Sequence, residues 1–184
     1  MERSLSINFL LEQGIVLLNG QIDDGMAQMV NCQLLYLSKK YPDRPIQMWI
    51  NSPGGSVTAG FAIYDVMNYV KVPIETIAIG MAASMAAFLL SSGSRGKRSA
   101  LPNAEILIHQ PMGQAEGQTT DILLAAEHIK RTREKIEVLL AQNTGRTIVQ
   151  IHNDIERDNI MPAQTAKEYG LIDIVIPTTP KAMS

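Results

Sequence analysis

Only one cysteine, Cys32, occurs in 184 residues, so the chain has no internal disulfide framework and suits a reducing compartment. A lone cysteine of this kind is expected to be a small buried apolar side chain rather than a reactive thiol. Charge of one sign is also lacking: 16 Lys and Arg face 18 Asp and Glu, a formal net charge of −2. That balance offers no field to attract nucleic acid or an acidic membrane. Aromatics make up only 5 %, against 10 methionines, a bias that suits helix-rich cores and adaptable contact surfaces. The most apolar stretch, Ile74 to Leu90, falls just short of a bilayer span and is flanked by Glu75, Lys97 and Arg98. The opening "MERSLSINFLL" has too short an apolar run for a signal peptide, and a cytoplasmic location is expected. No Cys, His or acid cluster has metal-ligand spacing, so neither metal nor organic cofactor is expected.

What is present is an alternation of strand and helix. "GIVLLNGQI" (14–22) reads as a strand, and "DDGMAQMVNCQLLYLSKKY" as a helix capped by Asp23 or Asp24 and ending before Pro42. "PIQMWINS" is a strand closed by the turn "SPGG", and a helix starts near Ser56 or Thr58. "VPIETIAIGM" is a third strand, followed by a helix of small residues from Ala83 to Ser92. "AEILIHQP" is a fourth strand, stopped by Pro111. A long helix runs from an N-cap threonine in "TTDILL" to Gly145. "TIVQIHNDIER" and "PAQTAKEYG" are two shorter helices, and "LIDIVI" is a last strand. This order implies one α/β domain with mainly parallel strands. The long helix begins apolar (Ile122 to Ala126) and turns charged in "EHIKRTREKIE", which suggests a face packed on another subunit.

Three features gather at strand ends. Ser84, inside "IAIGMAASMAAFLLSSG", is either a packed core serine or a nucleophile at a strand-to-helix turn, where backbone N–H groups are free. The Gly-Gly corner of "SPGGSV" could aim an N–H at an oxyanion without a side chain in the way. His109 ends its strand, where it can reach a neighbouring turn. "GMAASMA" is not the G-x-S-x-G elbow of α/β-hydrolases, because Ala82 and Ala86 hold the outer positions. Of the acids that could complete a triad, Asp154, Asp158 and Asp173 all stay open on physical grounds. His128 and His152 lie in charged helices and are expected to be solvated.

The segments "SPGGSVTAGFAIYDVM", "GMAASMAAFLLSSGSRGKRSALPNAEILIHQP" and "ERDNIMPAQTAKEYGLID" resemble the proteolytic subunit of the Clp peptidases, the ClpP family, over about residues 14–175. The resemblance implies a single domain over residues 1–184 with the spiral of ββα units shared with the crotonases. It implies a protruding strand-helix handle at 113–145, an N-terminal helix region at 1–13 and a tail at 177–184. By position it makes Ser84 the nucleophile, His109 the base and Asp158 the third member. The oxyanion hole would be the N–H groups of Gly55 and Met85. Gln114, Ala115 and Glu116 would pair with extended substrate, and Arg157 would form an ion pair between rings. Trp49 and Tyr69 would line the pocket that receives unfoldase loops. The implied assembly is two stacked seven-membered rings around a closed chamber. An AAA-type Clp ATPase would feed it unfolded polypeptide, with ATP used by that partner alone.

Three departures bear on this. Ala86 stands where the family usually has glycine, Gln114 replaces the second of a glycine pair, and Glu116 adds an acid to the substrate strand. The sequence begins at "MERS", inside the family's axial segment, which is expected to be missing. Two alternatives therefore stand beside an active serine endopeptidase. One is a weakly active or regulatory ring subunit that needs a second ClpP paralogue, and the other is a crotonase-fold acyl-CoA enzyme.

Overall fold

Two short parallel strands set the frame, because alternate residues of each are apolar and face the same way. In β1 (Ile15–Asn19) Val16 and Leu18 are fully buried, and in β2 (Ile46–Ser52) Ile46, Met48 and Ile50 are. Their pairing, Val16 with Met48 and Leu18 with Ile50, stacks those side chains on one face. The computed structural model describes residues 8–177. Residues 1–7 of the N-terminal region, on which the expectation of a missing axial segment falls, and the tail from residue 178 lie outside the described residues. A helical stretch over residues 8–12 precedes β1.

Helix α1 (Asp24–Lys40) starts where Asp23 accepts a hydrogen bond from the Met26 N–H at 2.8 Å. It buries Ala27, Val30, Leu34 and Leu37, the helical spacing that the sequence carries. Helix α2 (Val57–Tyr69) is capped by Ser56, which accepts from Ala59 N–H, and buries Ala59, Gly60, Ile63 and Met67. Helix α3 (Met85–Ser91) is buried at every position, so a run with no polar face is core and not membrane. Burial of Phe88, Leu89 and Leu90 contributes roughly 1.5–3 kcal/mol each. No helix among the described residues is long and apolar enough to cross a membrane.

Among the described residues the sheet has seven strands and runs β1-β2-β3-β4-β7, all parallel, with β3 (Ile74–Ala83), β4 (Arg98–Ala100) and β7 (Ile174–Val175). β3 is long enough to serve two neighbours along one edge. Thr76–Ala78 pair with β4, and Met81–Ala83 pair with β5 (Glu105–Ile108). Gly80, at φ 65°, lies between the two pairings, so β5 leaves the line of β4. β5 then takes an antiparallel partner, β6 (Asn159–Pro162). The result is a mixed α/β fold whose sheet is mainly parallel, as the order of elements implies.

Helix α4 (Thr119–Thr144) ends at Gly145 in the left-handed region (φ 77°) as expected, but its N-cap is Gln118 and not a threonine. Ile122, Leu123 and Leu124 remain exposed along its first turns. Helix α5 (Ile148–Asp154) stops three residues short of the expected Arg157, and helix α6 (Ala163–Tyr169) ends at Gly170 as expected. The sequence reading missed β4 and β6. Cys32 also departs from expectation, since it lies exposed on α1 and not in the core.

Candidate active site

Ser84 sits where β3 breaks into α3, and its backbone is the odd one in the chain. At φ 55° and ψ −120° it is the only non-glycine residue with positive φ among those described. Such a conformation costs on the order of 1–3 kcal/mol and persists only where the surroundings enforce it. Two contacts do so. The Ser84 N–H donates to Leu107 O at 2.8 Å, which extends the β3–β5 ladder to the turn itself. Behind it, α3 is locked in the core from its first residue.

The "SPGG" corner presses on the same turn. Gly54 has φ 91°, and a β-carbon there would lie 2.7 Å from Ala83 O and 2.8 Å from Ser84 Cβ. Only glycine fits that approach. Gly55 forms a parallel bridge to Ile22 through its neighbours: Ile22 N–H donates to Gly54 O, and Ser56 N–H donates to Ile22 O. In such a bridge the central residue's own N–H points away from the partner strand, which leaves Gly55 N–H on the outer side. Met85 N–H belongs to the first residue of α3, where helical bonding does not consume it.

His109 follows β5 directly, and Asp158 immediately precedes β6. The ladder pairs Ile108 with Asn159, so the next antiparallel step sets His109 opposite Asp158. Their side chains meet at 3.3 Å, His109 Nδ1 to Asp158 Oδ1. The other two candidate acids are committed elsewhere. Asp154 accepts the Tyr169 hydroxyl at 2.7 Å, and burial together with that bond raises the Tyr169 pKa. Asp173 accepts from Arg98 Nε at 2.9 Å, from Arg98 Nη2 and from the Arg98 backbone N–H. Burial pushes the Asp173 carboxyl up, but these hydrogen bonds outweigh it and hold it below the ordinary carboxylate range.

Ser84 and His109 line one small apolar pocket with Val57, Met85, Phe88 and Pro111. The Ser84 hydroxyl makes no hydrogen bond among the described residues, a looseness common in hydrolytic sites before substrate seats. Val57 and Pro111 are shared with a larger cavity of about 480 Å³, whose walls include Phe61, Met112, Ile129 and Lys135.

The remaining expected residues lie at various distances from this centre. Gln114, Ala115 and Glu116 are exposed in the segment between β5 and α4 and pair with no strand among the described residues. Arg157 is exposed beside Asp158. Trp49 is half-buried on β2, on the face opposite Met48, and its Nε1 donates to Gln47 Oε1 at 3.2 Å. Tyr69, at the end of α2, is 73 % exposed.

One part of the site escaped the sequence reading. The charged middle of α4, from which no site residue was expected, buries Glu137 to 5 % exposure. His152 is not simply solvated, because its Nδ1 lies 2.9 Å from Glu137 Oε1. The available signal was the i,i+4 pair Arg133–Glu137 set beside the apolar Ile136 and Leu140.

A family model described as "Clp protease" matches residues 2–179 of this chain, nearly its whole length.

Proposed function

Because the chain belongs to the Clp protease family, a family of serine peptidases, we propose that it is an endopeptidase using Ser84, His109 and Asp158. The observation that carries this reading is the strained turn at Ser84, held in one pocket with His109, whose Nδ1 meets Asp158 at 3.3 Å. Strain at a single serine has no evident packing purpose, whereas it lifts a hydroxyl clear of the sheet for attack.

In the proposed reaction the Ser84 Oγ attacks the peptide carbonyl carbon while its proton passes to His109. Asp158 fixes the imidazole tautomer and stabilises the cation that forms. The N–H groups of Gly55 and Met85 receive the oxyanion. His109 then gives the proton to the departing amine as the C–N bond breaks, leaving an acyl-serine. Water repeats the sequence and frees Ser84. Extended substrate would add as a strand along residues 114–116, which have open backbone groups, and this mode reads backbone more than side chains. The cavity beside Pro111 suits an apolar side chain.

Assembly and partners follow from the family as proposals. The exposed Ile122, Leu123 and Leu124 on α4 support packing against a second subunit in two stacked heptamers, with Arg157 at the ring junction. Exposure of Tyr69 supports a role in docking an AAA-type Clp ATPase, with the half-buried Trp49 as the second proposed pocket residue. ATP would act on that partner, and no cofactor is needed for the serine chemistry. A cytoplasmic setting fits this partnership. Family membership favours a peptidase over an acyl-CoA enzyme.

The test is turnover of a short fluorogenic peptide and labelling by a fluorophosphonate, measured with the mass of the purified protein in solution. Ser84→Ala is expected to abolish both and leave the mass unchanged. Near-wild-type turnover by Ser84→Ala would sink the assignment. If the unaltered chain turned peptide over only after a second paralogue was added, the regulatory-subunit reading would replace this one.

A further inference from the structure

The ladder that aligns His109 with Asp158 ends one residue before them, and something beyond it must keep the two segments together. Asp158 is 67 % exposed and makes no other ion pair or side-chain hydrogen bond among the described residues. The next residues along supply the link. Gln110 N–H donates to Ile155 O at 2.7 Å, and Gln110 Nε2 donates to Glu156 O at 3.0 Å. Gln110 Oε1 in turn accepts from Arg133 Nη1 at 2.7 Å. The same guanidinium donates through Nη2 to Glu156 Oε2 at 3.0 Å, and more weakly to His152 O at 3.3 Å.

Arg133 therefore holds both sides of the gap, the residue after His109 and the residue two before Asp158. Its own orientation is fixed from behind. Nε donates at 2.7 Å to Glu137 Oε1, a carboxylate one turn further along α4 that is buried and also faces His152 Nδ1. The hydrogen bond to Glu137 raises the Arg133 pKa despite burial, and the hydrogen bond from Arg133 lowers that of Glu156. A planar fork with donors in set directions can span three partners at once, which an ammonium cannot.

We propose that Arg133, seated on Glu137 and acting through Gln110 and Glu156, is a positioning residue that keeps His109 and Asp158 in register for hydrolysis. This rests on the serine-peptidase reading above. The residue touches neither substrate nor the reacting atoms. It acts by limiting how far the 109–110 and 156–158 segments can part, and a displacement near 1 Å at such a site can cost about 10²-fold in rate.

The test uses the full assembled protein with a fluorogenic peptide and with a fluorophosphonate, which reports the nucleophilic reactivity of Ser84 in one step, its Oγ bonding phosphorus as fluoride leaves. Arg133→Met keeps the apolar stem and removes every donor. It is expected to lower kcat about 10- to 100-fold with KM within about twofold, and to slow phosphonylation of Ser84 by the fluorophosphonate by the same factor. Arg133→Lys should recover little of this, because charge alone does not restore the fork. Gln110→Met, which removes the link while leaving the buried Glu137 contact intact, should show the same kcat loss. It decides the matter if Arg133→Met fails to assemble. Wild-type kcat in Gln110→Met, full recovery in Arg133→Lys, or a change confined to KM would each overturn the clamp. The unaltered chain and Ser84→Ala separate the two levels. If the unaltered chain is labelled and Ser84→Ala is not, a negative result refutes the clamp alone. If the unaltered chain is not labelled, the hydrolytic reading fails, and the clamp with it.

Discussion

Asparagine at each of three aspartates should separate catalysis from folding, because the structure gives each acid a different partner. Asp158→Asn removes the charge that faces His109 Nδ1 at 3.3 Å and offers an amide that can hold the wrong tautomer. In a buried triad that change costs about 10⁴-fold, and here the carboxylate is 67 % exposed, so water can take over part of its task. A loss of about 10³-fold in kcat/KM is expected, roughly 4 kcal/mol of transition-state stabilisation. Stability should move by no more than about 0.5 kcal/mol, as for an ordinary surface substitution. Asp173→Asn should do the reverse. It strands Arg98, whose side chain is 7 % exposed, without its countercharge, at a cost of about 3–5 kcal/mol. At roughly 2–4 °C per kcal/mol for a chain of this size, Tm should fall by about 6–20 °C. Asp154→Asn keeps an acceptor for the Tyr169 hydroxyl and should change neither quantity much. The assay is peptide turnover per fluorophosphonate-titrated Ser84, with thermal unfolding followed on the same preparations. A 10³-fold loss per titrated site in Asp173→Asn, with Asp158→Asn near wild type, would refute the assignment of the acid.

Three further outcomes follow from particular contacts. Gly54→Ala must place a methyl 2.7 Å from Ala83 O and adopt φ 91°, so turnover should fall at least about tenfold together with Tm; unchanged kinetics would show that the corner does not support the Ser84 turn. Asp173 is held below the ordinary carboxylate range, so its stabilising contribution is present above that range and is lost as pH falls through the depressed value. Denaturant titrations at falling pH should therefore show wild type and Asp173→Asn converging on the acid side, and a gap that is constant with pH would count against this. Leu123→Asp with Leu124→Asp adds charge to an exposed apolar face, so sedimentation should show smaller species while Tm holds; an unchanged mass would mean the face is not an interface.

The parts of the site that could be read from sequence are those whose cause is local. The Ser84 turn is announced by small residues between a strand and a helix, and the corner by two glycines after β2. His109 is marked by its place at a strand end before a proline. The choice among Asp154, Asp158 and Asp173 could not be made this way, because it depends on a pairing 51 residues apart in the register Ile108 with Asn159. β6 is four residues long and ends in Pro162, so it carries too little alternation to be told from the end of one helix and the start of the next. β4 was hidden for a related reason: its buried residues include Arg98 and Ser99, which no apolar pattern would reveal, and Arg98 is buried with Asp173 and the carbonyls of Ser91 and Asn143 as its partners. The Arg133 cluster was hidden likewise, since "RTREKIE" shows charges without showing which of them turns inward. Glu137 turns inward because Arg133 and His152 both reach it. α5 ends at Asp154 and not at Arg157, which frees residues 155–158 to leave the helix and meet Gln110. The early end of that helix, invisible in its composition, is what allows an acid to stand opposite the histidine at all.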